Sequence, residues 1–367
     1  MILKTGNTLA LPGASRILVR GTNWIGDVVM SLPAIAAVRK TFPESYIAVL
    51  AKSWVADLYR SCPDVDEVII YRDPGAHHGV AGKYRLAREL SRECFDAAIL
   101  LQNAFEAALI AWWARVPVRA GYDSDGRRIL LTHAVTRTRA IRCRHQTEYY
   151  REMVKNLGCV DAGNTIPLRY DDENRAVVCR FRRDFHIDDD AILVGIAPGA
   201  AYGPAKRWFP ERFAAVAERI RREYGAAVLL FGSAGDAEQA DTVCRSTAAP
   251  LINLAGKTSL HEAYSLIGAC DLYISNDSGL MHLAGALNIP LVAIFGSTNH
   301  VTTAPAGEHS VIVRKDVPCS PCLKKTCPTD FRCMDLITVD DVHKKARELL
   351  ERARTGGTVS SPSRGGL

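Results

Sequence analysis

Along this chain, short apolar runs keep giving way to stretches in which apolar residues recur every three or four positions. The first run is Arg16 to Arg20, RILVR; beyond it Val28, Leu32, Ile35 and Val38 hold helical spacing up to Phe42 and Pro43. Strands are predicted at Tyr46 to Leu50, Glu67 to Tyr71 and Ala97 to Leu101, with helices at Ser53 to Ser61 and Tyr84 to Arg92 between them. An alanine-rich helix follows to Ala114, and residues 145–158 read as a helix that closes the block. After the acidic, polar stretch Asp171 to Asp190 the alternation restarts. Strands at Ile192 to Ile196, Ala227 to Phe231 and Leu251 to Leu254 alternate with helices at Pro210 to Glu223, Ala237 to Thr247 and Leu260 to Gly268. Residues 271–296, DLYISNDSGLMHLAGALNIPLVAIFG, then read as strand, tight turn, helix and strand.

This periodicity predicts an α/β protein of two Rossmann-like, doubly wound domains, with a ligand in the cleft where the carboxyl ends of their strands face each other. The expected boundaries are a loose leader at 1–15, domains at 16–165 and 166–337, a terminal helix at 338–355 and a disordered tail at 356–367. A length of 367 residues, 48% of them hydrophobic and 23% charged, suits two sizeable cores. No run approaches the roughly 20 apolar residues of a spanning helix, and the N-terminus lacks a secretory h-region, so the expected location is the cytoplasm.

The net charge of +6 is unevenly spread. Residues 1–160 hold 22 Lys and Arg against 15 Asp and Glu, and the remainder is nearly balanced. Arg127, Arg128, Arg137, Arg139, Arg142 and Arg144 carry much of the surplus. A solvated loop and a surface for a phosphorylated partner, membrane or nucleic acid are the alternatives. With few interleaved aromatics, nucleic acid ranks last.

Candidate chemistry sits where strands run into helices. In the second half, Asp277, Ser278 and Gly279 follow a strand and open a helix, where free N–H groups and the dipole favour an anion such as a diphosphate. Simple helix capping by Asp277 or Ser278 is the competing reading. Lys206 and Arg207 lie in APGAAYGPAKRWFPERF, just ahead of another helix start on the same sheet edge. In the first half, Gly26 and Asp27 stand at a helix start beyond the first strand, where the carboxylate either complements the dipole or serves as a general base. G-x-G-x-x-G is absent, and Gly256-Lys257-Thr258 lacks the leading glycine of a Walker loop.

Four ordered stretches, RGTNWIGDVVMSLPAIAAVRKTFP, PGAAYGPAKRW, LAGKTSL and NDSGLMHLAGALNIPLVAIFGSTN, resemble the ADP-heptose:lipopolysaccharide heptosyltransferases, most closely their heptosyltransferase II type. The resemblance runs from about Arg16 to Val342. It implies the GT-B fold and an inverting glycosyl transfer, with no required cofactor. The implied donor is ADP-heptose and the implied acceptor is heptosyl-Kdo2-lipid A, the inner core of lipopolysaccharide. Asp27 then matches the general base, and Lys206 the lysine that neutralises the departing ADP. Ala200, Ala201, Asp277, Ser278, Gly279 and His282 match the donor site, although His282 reads equally well as a core histidine. Asp236 and Thr258 fall near ribose and adenine, with Glu238 an equal candidate to Asp236; Asn23, Trp24 and Gly26 lie on the acceptor side. Peripheral contact with the inner face of the inner membrane is a further implication, and the basic first half suits it. Rival readings are a heptosyltransferase for another acceptor, a sugar-nucleotide 2-epimerase and a non-catalytic binding protein.

Eleven cysteines in a chain without a secretory signal point to reduced thiols. Cys319, Cys322, Cys327 and Cys333 cluster, but only one C-x-x-C knuckle is present where structural zinc sites commonly use two. Free thiols or a labile disulfide are favoured over a structural zinc, and no metal is expected in catalysis.

Overall fold

Each half of the chain is built on a six-stranded sheet in which every strand pairing is parallel. The computed structural model describes residues 14–355 and divides into two compact units, Met1–Arg169 and Tyr170–Leu367. Residues 1–13 of the expected leader and the expected tail at 356–367 lie outside the described residues. Ser15 is tied down, its N–H donating to Asp96 Oδ2 at 2.8 Å.

Unit 1 contains β1 Arg16–Arg20, β2 Tyr46–Lys52, β3 Glu67–Tyr71, β4 Ala97–Leu100, β5 Val118–Tyr122 and β6 His133–Val135, ordered β3-β2-β1-β4-β5-β6. Unit 2 contains β7 Leu193–Ala197, β8 Ala227–Leu230, β9 Ile252–Asn253, β10 Leu272–Asn276, β11 Leu291–Ile294 and β12 Ser310–Val313, ordered β12-β11-β10-β7-β8-β9. The winding direction therefore reverses between β1 and β4 in one unit and between β7 and β10 in the other. Such a switch point opens a crevice at the carboxyl ends of the two strands.

Helices on both faces bury the central strands, which is why β1, β7, β10 and β11 read as continuous apolar runs rather than alternating ones. In unit 2, Val194, Ile196, Ile274 and Ile294 share a core with Phe213, Val216 and Ile220 of the helix Pro210–Tyr224. In unit 1, Leu18, Ala48, Leu50 and Ala98 pack with Leu86 and Leu90 of the helix Gly79–Arg92.

The central strands follow the apolar pattern, whereas β5, β6 and β12 were not marked by it. β5 is interrupted by Arg119 and Gly121, and β6 is three residues long, so pairing with β4 and with each other defines them. The polar stretch Asp171 to Asp190 contains a helix, Asp172–Asp184, opened by an Asp171–Asn174 capping box. Its Asn174 is buried and donates to Ser265 Oγ at 2.8 Å, so it belongs to the body of unit 2. No described helix is long and apolar enough to cross a membrane.

Candidate active site

In unit 2 the carboxyl ends of β7, β10 and β11 bring three loops together. Asn276, the last residue of β10, is buried; its Oδ1 accepts the Trp208 N–H at 2.9 Å, and its Nδ2 donates to the Pro198 carbonyl at 2.8 Å. One strand-end amide thus fixes both ends of the Gly199–Arg207 loop. That loop delivers Lys206, whose ammonium lies 2.7 Å from Asp277 Oδ2, with side-chain exposures of 14% and 4%. The same Oδ2 accepts the Thr298 hydroxyl at 2.6 Å. Thr298 lies just past β11, and no spacing signal in the sequence singled it out.

Asp277 therefore acts as the anchor that aims Lys206, so the oxygen considered for sugar hydroxyls already serves two partners. Ser278 is the N-cap of the helix Gly279–Ala286: its Oγ accepts the Met281 N–H at 3.4 Å and lies 3.0 Å from Ser275 Oγ. Capping is therefore observed, and it leaves the first-turn N–H groups of Gly279 and Leu280 without intrahelical acceptors. His282, one turn on, is buried at 4% exposure. Ala200 is buried and its carbonyl accepts from Arg207, whereas Ala201 is exposed.

Asp236 lies against the same loop from the β8 side. Its Oδ2 accepts the Ser233 N–H at 3.0 Å and the Ser233 hydroxyl at 2.7 Å, while its Oδ1 lies so close to Gly199 that no β-carbon fits there. Glu238 is exposed, so Asp236 is the carboxylate that the fold brings to this edge. Thr258 is half-buried in the loop after β9, which pairs with the Asp236 loop through the Gly256 N–H and the Gly232 carbonyl at 3.0 Å. No hydrogen bond links Thr258 to Lys206 or Asp277 among the described residues.

Unit 1 places its candidates in the equivalent position, after β1. Gly21 packs on the Tyr59 ring, and the Thr22 N–H donates to the Tyr59 hydroxyl at 2.8 Å. Arg20 is fully buried, and burial pushes its guanidinium down to about 10, which still leaves it charged at neutral pH. It donates to the Gly21 carbonyl at 2.6 Å and to Asn23 Oδ1 at 3.2 Å, while the Trp54 indole N–H donates to the Asn23 carbonyl at 2.8 Å. These bonds hold the turn into the helix Ile25–Thr41, whose first turn carries the buried Gly26 and half-buried Asp27. Asp27 Oδ1 accepts the Tyr150 hydroxyl at 3.2 Å. Burial first, and the adjacent Asp27 charge second, hold that phenol well above its ordinary range, so it remains a donor. Trp24 is 65% exposed at the N-cap, whereas Tyr150, Tyr59 and Trp54 are site neighbours that sequence spacing gave no reason to select.

The arginine surplus changes character in three dimensions. Arg127 is buried and donates to the carbonyls of Tyr122 and Gln102 and to Asn103 Oδ1, so it is structural rather than part of a solvated or attractive surface. Arg128 pairs with Asp123, and Arg144 with Glu148 and Glu152. Arg137, Arg139 and Arg142 are exposed and make no ion pair among the described residues. Their free charge is about half of what the sequence suggested.

All eleven cysteines are free thiols. Cys319 is exposed, Cys322 and Cys327 are half-buried and Cys333 is buried; burial, then the three neighbouring thiols, raise Cys333 above the ordinary thiol range. Among the described residues no group of three or more His, Cys, Asp or Glu side chains is arranged to hold a metal ion.

Two doubly wound, Rossmann-like units, each with a switch point, and the likeness to a solved heptosyltransferase given below place the chain among the glycosyltransferases of the GT-B class. The model of glycosyltransferase family 9 (heptosyltransferase) matches residues 83–331, and the chain belongs to that family. It is 33% identical over 312 residues to lipopolysaccharide heptosyltransferase 2 of Salmonella typhimurium, covering 82% of this chain and 88% of that protein. The Escherichia coli protein of the same name is 31% identical over 312 residues, with the same two coverages. The solved structure of E. coli ADP-heptose lps heptosyltransferase II superposes with a TM-score of 0.80 at 28% identity, covering 93% of this chain and all of that one. A family 9 glycosyltransferase from Veillonella parvula gives a TM-score of 0.84 at 26% identity, over 94% of this chain and all of that one.

Proposed function

We propose that this glycosyltransferase moves L-glycero-D-manno-heptose from ADP-heptose to the heptosyl-Kdo2-lipid A inner core, with inversion at the anomeric carbon. The observation that carries the donor half is the Lys206–Asp277 pair beside the Ser278 helix start, at the switch point of unit 2. A lysine aimed by a buried carboxylate is preorganised to meet the charge that grows on the departing diphosphate. Backbone N–H groups of Gly279 and Leu280 add dipolar stabilisation on the same edge. Asp236 and Thr258 are assigned to the nucleoside, and Ala200, Ala201 and His282 to the surroundings of the phosphates and sugar.

Asp27 is assigned the role of general base. In an inverting displacement it takes the acceptor hydroxyl proton as that oxygen bonds to the anomeric carbon and the bond to the diphosphate breaks. Tyr150 orients the carboxylate, and Asn23, Trp24 and Gly26 form the acceptor side. The name shared by the Salmonella and E. coli relatives supports the choice of acceptor. The reaction needs no resident cofactor in this reading, and peripheral contact with the inner membrane surface follows from a lipid-anchored acceptor.

The test supplies purified protein with ADP-heptose alone and then with heptosyl-Kdo2-lipid A. ADP release that depends on acceptor, with one heptose gained by it, is the expected result. Conversion of the nucleotide sugar without acceptor would overturn the assignment of transfer, and turnover only with a different core would reassign the acceptor.

A further inference from the structure

The cysteine-bearing loop, which the proposed reaction leaves unused, is stitched to the donor-side loops of unit 2. Ser320 Oγ donates to the Gly296 carbonyl at 2.6 Å and the Leu323 N–H to the Ser297 carbonyl at 2.8 Å, joining it to the end of β11. On its other side the Tyr202 hydroxyl donates to the Leu323 carbonyl at 2.8 Å, and the Ala205 N–H to the Lys325 carbonyl at 3.0 Å. Gly203, at φ 154°, marks the closest approach, because a β-carbon there would strike that same Lys325 carbonyl. The backbone of Lys325 is thus bonded to the residue preceding Lys206.

Its side chain points the same way. The Lys325 ammonium lies 5.8 Å from the centroid of the Tyr202 ring, and the Lys206 ammonium 5.1 Å from that centroid. The two ammonium groups therefore stand within about 11 Å of each other, gathered around one ring. Arg207 adds a third cation, with its Nε buried and unpartnered. Against these three stand Asp277, already paired with Lys206, and Asp236, already bonded to Ser233; no ion pair engages Lys325 or Arg207 among the described residues. A loop edge with more cations than carboxylates favours an anion carrying more than one charge.

We propose that Lys325 is a further donor-binding residue, its ammonium meeting the diphosphate of the nucleotide sugar beside Lys206. Tyr202 is a positioning residue: both ammonium groups lie within 6 Å of its ring centroid, and its hydroxyl pins the loop that carries Lys325. The inference deepens the reading of unit 2 as the donor site and rests on it.

The test measures ADP binding by calorimetry on full-length wild type, Lys325→Ala and Lys325→Arg at low and high salt, with KM values for donor and acceptor. Lys325→Ala should weaken ADP binding about tenfold and flatten its salt dependence, and Lys325→Arg should recover most of the loss. The rise in KM should fall on the donor and spare the acceptor. Because residue 325 makes its loop bonds through the backbone, Tm should not move. Wild-type ADP affinity in Lys325→Ala overturns the inference while leaving the donor site standing, as does an equal loss in both variants with a lowered Tm. Failure of wild type to bind ADP would remove the donor reading and the inference together.

Discussion

The two units use one topology for opposite electrostatic ends. In each, the loop after the first strand, β1 or β7, leads into a helix beside the switch point. Unit 1 fills that position with a carboxylate at a helix start, held by a tyrosine hydroxyl; unit 2 fills it with a lysine held by a carboxylate from the next loop. Their supports differ too. The unit 1 turn is fixed by side chains reaching its backbone, from Arg20, Tyr59 and Trp54, which leaves Asp27 with a neutral donor among its neighbours. The unit 2 loop is fixed by Asn276 at both ends, so the cation it presents is set by the strand itself. A base needs a carboxylate that can accept a proton, and a phosphate site needs a cation that never gives one up. On the proposed reading the same scaffold supplies both by changing what pairs with the charge.

That contrast breaks most sharply at Asp27. Asp27→Asn keeps the size and the ability to accept from Tyr150 but cannot take a proton, so kcat should drop about a thousandfold while ADP affinity stays at the wild-type value. A variant turning over within about threefold of wild type would remove the general-base assignment. Next in size is the unit 2 pair. Lys206→Met leaves the Asp277 carboxylate buried with the Thr298 hydroxyl still donating to it, and should cost about 3 kcal/mol in urea unfolding as well as weakening ADP binding at least tenfold. Adding Asp277→Asn should recover part of the stability and none of the binding. Losses that simply add in the double variant would show the two groups to be uncoupled.

Much of this was legible in the chain. The central strands could be read because parallel strands buried on both faces must be apolar throughout, and Asp27, Lys206 and Asp277 stood at strand-to-helix turns. What escaped were contacts between residues far apart in sequence. Thr298 is 21 residues from Asp277, and Tyr150 is 123 residues from Asp27, so no local pattern announces either. The arginine run misled for the same reason. Arg127 has the composition of a surface residue, and only the carbonyls of Tyr122 and Gln102 make its burial tolerable. The edge strands β6 and β9 were faint or short because a strand of two or three residues owes its existence to its neighbour.

A smaller effect is expected at Tyr150. Tyr150→Phe removes the hydroxyl that orients Asp27 without opening a large cavity, so kcat should fall about tenfold, with donor binding and Tm close to wild type. An unchanged kcat would mean that the helix turn alone aims the carboxylate, and the two units would then differ less in how they hold their charge.

The smallest prediction concerns the frame of unit 1. Lys52, the last residue of β2, is nearly buried; its ammonium sits 3.6 Å from the Tyr71 ring centroid and donates to Asp73 Oδ2 at 2.9 Å. Hydrogen bonds from Lys52, then from His78, hold the Asp73 carboxyl down to about 2. A carboxylate depressed in the folded state contributes stability that is complete above its unfolded value near 4 and is lost as the pH falls through about 2. Solvent reaches Asp73, so screening leaves about 1 kcal/mol of this at neutral pH. Asp73→Asn should therefore unfold at lower urea than wild type at pH 7, and the gap should close between pH 4 and pH 2. Lys206 and Asp277 offer the comparison, since their burial makes the penalty for losing one partner larger at neutral pH. If Asp73→Asn costs as much as Lys206→Met, burial is not what separates the two pairs, and the distinction drawn between the units loses its energetic basis.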